Sequence, residues 1–194
     1  MITTTHAILN TALLGSKDHR ERNWPLVLGS IAPDLPMVFY GLLMALGRLH
    51  WYSPGRKAFD EYHFRALWVD WAHSFPLAIG GLLLCLLVGQ KTLAYFFAAM
   101  GLHDLEDLPV HAEYAHRHFL PFSNWRFFSH ISYSDPHHYG AIIAPLEWLI
   151  VLVSIYFLWK RGLKPPVQLL LVFIGTFQGL WLVYYYGRVH WVGF

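Results

Sequence analysis

The sequence predicts an all-α integral membrane bundle of about five transmembrane helices, preceded by a short N-terminal helix. Three observations carry this expectation. Hydrophobic residues fill 56% of the 194 positions and charged residues only 13%, whereas a soluble domain uses roughly 25% charged residues to cover its surface. The apolar residues gather in five runs, each near the roughly 20 residues that span a bilayer. Phe, Trp and Tyr make up 18% of the chain, as suits rings that settle at membrane–water interfaces. A chain of this length forms one domain, here a single membrane-embedded helical domain over 1–194 with a polar, His-rich loop at 112–140.

The elements follow in order. Thr4 or Thr5 can cap a short helix over 6–14 that ends near Gly15. A polar loop at 16–23 leads to a helix over 24–47, interrupted by Pro33 and Pro36. A mixed, charged loop at 48–65 contains Pro54-Gly55. Helices are then expected over 66–89, 92–107, 142–159 and 166–186. Pro33, Pro36 and Pro76 free backbone groups that must find partners in protein or water, never in lipid. Their positions near Asp34 and His73 point to a hydrated interior cavity.

Composition excludes several classes. The net charge is +2, and no dense basic face offers itself to nucleic acid. If the five helices each cross once, seven lysines and arginines fall on each side, so the positive-inside rule does not orient the bundle. The shorter, denser loops favour the side bearing Lys17, Arg20 and Lys160 as cytoplasmic, with 112–140 on the far side. Cys85 is the single cysteine, expected as a small buried apolar residue. Neither a disulfide nor a cysteine zinc site can form within one chain. The first residues lack the basic start of a signal peptide, so targeting is expected from the membrane segments.

Ionisable residues inside apolar runs are the candidate chemistry, because a charge near the bilayer is costly and marks function by default. His103 and Asp107 are four apart, so a helix sets them on one face, a spacing that suits two ligands of one metal ion. His111 continues the spacing, but Pro109 disfavours helix at Leu108. Asp107 could instead cap a new helix starting at Leu108. Asp104 and Glu106 point to other faces, as second partners of an imidazole or as solvated acids. Asp34, between Pro33 and Pro36, reads as a ligand or as a turn aspartate bonding its own backbone. His73 reads as a ligand or as a hydrogen-bonded interior histidine. His6 is weak evidence alone. Within 111–140, His116, His118, His130, His137 and His138 are expected to be mostly solvated, while Arg117 and Arg126 could meet an anion such as phosphate. Trp125, Phe127, Phe128, Tyr133 and Tyr139 suit an interface location, and Trp148, Trp159, Trp181 and Trp191 suit anchoring or packing. No serine-hydrolase elbow, phosphate-cradling glycine loop or His-Glu-x-x-His occurs.

Four short motifs occur in a fixed order: Thr-x-x-His ending at His6, Gly-Ser-x-x-Pro-Asp ending at Asp34, Ala-His-Ser around His73, and His-x-x-x-Asp from His103 to Asp107. In this order they resemble bacterial inner-membrane proteins described as membrane-bound metal-dependent hydrolases. The segment from Phe122 to Phe127, with Ser132 to Pro136, resembles one branch of that group. The resemblance covers roughly 1–140. It is also distantly similar to zinc-dependent phospholipases C, helical enzymes that use His and Asp ligands on phosphoesters. Where many such proteins carry a basic or glycine-rich stretch with another histidine before the mid-chain His-Ser, this chain has Leu67-Trp68-Val69-Asp70-Trp71. The resemblance implies His6, Asp34, His73, His103, Asp107 and His111 as metal ligands.

The expected function is metal-dependent hydrolysis of a phosphoester in a lipid or lipid-linked substrate, with membrane lipid as partner. A divalent ion, Zn²⁺ first and Mn or Fe as alternatives, would make hydroxide available near neutral pH. Asp34 or Asp104 would serve as general base. Five or six ligands exceed one tetrahedral site, which leaves room for two metals. The alternative is a non-enzymatic membrane subunit or assembly factor that binds haem, pigment or metal through His73 and His103. A metal transporter would need ligands spread along a path, whereas these cluster.

Overall fold

The computed structural model of the protein describes residues 1–46, 68–112 and 115–191. The charged loop at 48–65, the expected helix start at Ala66 and Glu113 lie outside the described residues, as does the side chain of Trp191. Among the described residues the chain is helical without strands. Helix α1 is Thr3–Leu14, α2 is Asn23–Ile31, α3 is Leu35–Ala45, α4 is Phe75–Leu87, α5 is Lys91–Asp107, α6 is Gly140–Lys160 and α7 is Pro165–Trp191. Single helical turns at Asp70–Ala72 and Leu108–Val110 precede α4 and follow α5.

Among the described residues two helices are long and apolar enough to cross a membrane, α6 and the Pro165–Gly187 part of α7; a third span results if α2 and α3 count as one, bent by 56°. This corrects the expectation of about five. The run over 66–89 contains the cap of a shorter helix: Ser74 accepts from the Leu77 N–H and Pro76 sits in the first turn. That leaves 13 residues in α4, about 20 Å of helix against the roughly 30 Å of a bilayer core. Helix α5 carries His103, Asp104, Glu106 and Asp107 in its last turns, and such groups cannot lie against hydrocarbon. At its other end, α1 begins earlier than expected. Ile2 is its cap position without a side-chain bond, and the Thr5 hydroxyl is spent on Glu147 instead.

Apolar side chains cover the outside, and the inside holds both an apolar core and buried polar groups. Along α6 and α7, Leu149, Val153, Phe173 and Phe177 are exposed. Inward, Val151, Ile155 and Leu158 pack with Ile8 and Leu171. Close backbone approach and polar bonds hold the helices together. Gly179 lets the Trp148 ring approach α7, where Trp148 Nε1 donates to the Gly175 carbonyl at 2.9 Å. Gly29 does the same where α2 meets α5, since a Cβ there would lie 2.1 Å from the Phe96 carbonyl oxygen.

Helix α1 is fastened at both ends by α6. Near its start, Glu147 Oε1 accepts from the Ile2 N–H at 2.7 Å and from the Thr5 hydroxyl at 2.6 Å. At its far end the Arg161 guanidinium donates to the carbonyls of Thr11, Ala12 and Gly15. These carbonyls lie in and just past the last turn, where a helix runs short of backbone donors, and the cation also complements its dipole.

Candidate metal centre

The site lies where the break between α2 and α3 meets the end of α5 and the turn before α4. At the break, the Asp34 N–H bonds the Ile31 carbonyl at 3.2 Å, not that of Ser30. The freed Ser30 carbonyl accepts from His103 Nδ1 at 2.7 Å. In the same way the Val69 carbonyl accepts from His73 Nδ1 at 2.8 Å. Each bond fixes the proton on Nδ1 and leaves a bare lone pair on Nε2, the arrangement seen in metal-ligating histidines.

Both Nε2 atoms are buried and have no hydrogen-bond partner. They face two carboxylates without making a hydrogen bond to either. His103 Nε2 is 3.3 Å from Asp107 Oδ2 and 3.8 Å from Asp34 Oδ1. His73 Nε2 is 3.7 Å from Asp34 Oδ1 and 3.9 Å from Asp107 Oδ2. One ligand atom from each of Asp34, His73, His103 and Asp107 lies within 4.8 Å of the other three. Four ligands placed about 2.0–2.2 Å from a tetrahedral ion sit about 3.3–3.6 Å apart. This buried His/Asp group could therefore hold a metal ion, and the two orphaned lone pairs are the local reason.

The capping alternative for Asp107 does not hold, because its side chain makes no cap bond to the Leu108–Val110 turn. Asp34 does not turn back on its own backbone either, as its Oδ2 accepts from the Thr3 hydroxyl at 2.5 Å.

His6 stands outside the four-membered group. Its Nδ1 meets Glu106 Oε2 at 2.6 Å and its Nε2 meets Asp107 Oδ1 at 3.0 Å, so both nitrogens are taken. Its ring stacks on that of His103, with centroids 3.7 Å apart. Oδ1 of Asp107 also accepts from the Met1 ammonium. Asp104 is fully buried and neither of its oxygens has a hydrogen-bond partner; burial pushes its carboxyl up to about 8. His111 donates from Nδ1 to the Asp107 carbonyl at 2.9 Å and belongs with Asp107 and His116 to a second cluster. Burial, opposed by Asp107, holds the His111 ring down to about 4.

The loop histidines divide. His130 and His137 are exposed, as expected. His116 and His118 are buried, contrary to the expectation of solvation. The signal was their alternation in His116-Arg117-His118, which in extended chain puts both rings on one side. Between them, Arg117 reaches the fully buried Asp70, Nε to Oδ2 at 2.6 Å, and Arg126 approaches the same oxygen at 3.5 Å. The two arginines expected to meet an anion thus meet one belonging to the protein. Glu147 also escaped notice, although a lone acid inside the apolar run at 142–159 is the kind of residue that marks a role.

No protein-family model, curated protein or solved structure matches the chain.

Proposed function

We propose that this protein is a membrane-embedded, metal-dependent hydrolase, acting on a phosphoester of a lipid or lipid-linked substrate. The observation that carries the reading is the pair of buried, unpartnered Nε2 atoms of His73 and His103 facing Asp34 and Asp107. Asp34 Oδ1, His73 Nε2, His103 Nε2 and Asp107 Oδ2 would hold the ion, with Zn²⁺ the first candidate for a nitrogen and oxygen set. A bound ion supplies Lewis-acid activation of water and of a phosphoryl oxygen.

The remaining roles fall to the chain. The Ser30 and Val69 carbonyls orient the two imidazoles. His6, braced between Glu106 and Asp107, restrains the Asp107 carboxylate. Asp104, which no hydrogen bond restrains, is the candidate general base once the charge of a bound ion lowers its carboxyl, with Asp34 through Oδ2, the oxygen left off the ion, as the alternative. The lipid substrate class rests on the spans α6 and α7, which would set the site beside a bilayer. The order of the four sequence motifs points to the same chemistry. The haem or pigment alternative has less support, because carboxylates 3.3–3.9 Å from both Nε2 atoms crowd the space a macrocycle would need.

The test is metal content of the purified protein by mass spectrometry, with His103→Ala and Asp107→Ala alongside. One bound ion, lost in both variants, is expected; undiminished metal in both removes the site. Hydrolysis of phospholipid in mixed micelles should then be abolished by a chelator. Asp104→Asn should keep its metal while losing turnover.

A further inference from the structure

We propose that Tyr133 is a substrate-binding residue of this site, its hydroxyl donating a hydrogen bond to a phosphoryl oxygen of the bound phosphoester. The proposal rests on the hydrolase reading and adds to it the group that recognises the phosphoryl. Tyr133 lies in the loop before α6, far in sequence from the four proposed ligands.

Several contacts hold it in place. Its N–H donates to the Val110 carbonyl at 3.3 Å, in the turn that follows α5. Its carbonyl accepts from the Tyr186 hydroxyl at 3.2 Å, late in α7. The Ser132 hydroxyl oxygen beside it accepts from the N–H groups of Ser134 and Asp135, each at 3.2 Å. Its ring meets that of His111 with centroids 5.4 Å apart, and His111 in turn bonds the Asp107 carbonyl. The backbone is therefore tied on both sides, and a single histidine separates the ring from a proposed ligand.

The hydroxyl has no such task in the fold. Among the described residues it makes no hydrogen bond, and the charges that act on it are those of Asp107, Asp34 and Glu147. Two of these three are proposed ligands, so the ring contact and the charges place the hydroxyl on the same side as the metal centre. Burial, aided by the three carboxylates, raises the phenol above its ordinary value, which keeps it a neutral donor around pH 7. A phosphoester brings negative charge to a site already lined with carboxylates and needs preorganised donors on its oxygens. Other donors nearby are engaged. Arg117 and Arg126 meet Asp70, and the hydroxyls of Thr3, Thr5 and Ser74 bond Asp34, Glu147 and the Leu120 carbonyl. A neutral phenol suits the task, because it can bond an anion without competing with a metal ion for the acids, as a lysine would.

The experiment titrates inorganic phosphate into zinc-loaded protein in detergent by calorimetry, with metal content measured alongside, for the unaltered chain and Tyr133→Phe. The variant should keep its metal and bind phosphate about tenfold more weakly or worse, as expected for a lost hydrogen bond to a charged group. Equal affinity overturns the proposal. Loss of metal in Tyr133→Phe also overturns it, since the hydroxyl would then be supporting the ligands. An unaltered protein that holds zinc but binds no phosphate overturns both this donor and the phosphoester reading, and leaves the metal centre standing. Phosphate binding that depends on Tyr133, with no hydrolysis of any phosphoester, upholds the donor and removes the enzymatic reading alone. If the variant fails to fold, fluorine NMR of the protein carrying 3-fluorotyrosine at position 133 decides. A resonance that shifts on adding phosphate supports the contact, and an unmoved one overturns it.

Discussion

Gly29→Ala tests whether the close crossing of α2 and α5 sets the metal geometry. The added Cβ would lie 2.1 Å from the Phe96 carbonyl oxygen and 2.8 Å from its carbon. Both are backbone atoms, so no rotamer change relieves the clash, and the helices must part by about 1 Å or more to restore ordinary contact. The Ser30–His103 bond spans the same crossing at 2.7 Å, and an extra ångström takes it beyond bonding range. His103 then loses the group that fixes its proton and aim. Losing such an outer partner typically lowers metal affinity about 10–100-fold, and the overpacking itself costs about 1–3 kcal/mol of stability. Competitive zinc titration against a chromogenic chelator reads the first effect, and thermal unfolding in detergent reads the second. Gly80→Ala is the control: its Cβ would meet nothing within 4 Å, and a relaxed helical alanine is neutral or slightly stabilising. A Gly29→Ala protein that binds zinc and melts like Gly80→Ala would refute the reasoning.

Three further outcomes are expected. Arg161→Ala removes a cation from three carbonyls at the end of α1. It should lower stability by about 1–3 kcal/mol, with Arg161→Lys recovering part of it; an unchanged denaturation midpoint argues against the clasp. Glu147→Leu strips the acceptor from the Ile2 N–H and the Thr5 hydroxyl and should cost about 1–3 kcal/mol, whereas Glu147→Gln, which still offers an oxygen, should cost less. Equal losses would show that the hydrogen bonds are not what matters. Burial raises the Asp135 carboxyl, but hydrogen bonds from His138 and the His137 N–H together outweigh this and hold it below its ordinary 3.8. Its contribution to the turn before α6 is therefore present above the unfolded value and lost as pH falls through the folded one. A carboxyl-carbon NMR titration should show a midpoint below 3.8, and one at or above it contradicts the pairing.

The helical class and the later helices were readable from apolar run length, and α5 starts within one residue of its expected position. The number of spans was not. A window of apolar residues does not distinguish one membrane helix from a capped short helix preceded by a turn, and Ser74 with Pro76 is a start signal inside such a window. At the site, the spacing of His103 and Asp107 and the proline-flanked Asp34 drew attention to residues that the fold sets side by side. What spacing cannot reveal is the long-range partner. Glu106 braces His6 across 100 residues, and Asp70 gathers Arg117, Arg126 and His116 from the far loop. The carbonyls that orient His73 and His103 are backbone groups, invisible to any reading of side-chain type.

If α6 crosses a bilayer, as proposed, its clasp on α1 ties the site to the membrane. Glu147 within α6 and Arg161 at its C-terminal cap hold the two ends of α1, which would make α1 move with α6. Spans longer or shorter than the local hydrocarbon thickness adjust by tilting. A tilt of α6 carries His6 with it, and His6 bears directly on Asp107. Metal affinity should therefore change with lipid chain length in reconstituted bilayers, and Arg161→Ala should flatten that dependence; identical affinity in thin and thick membranes would show that α1 moves independently of its span.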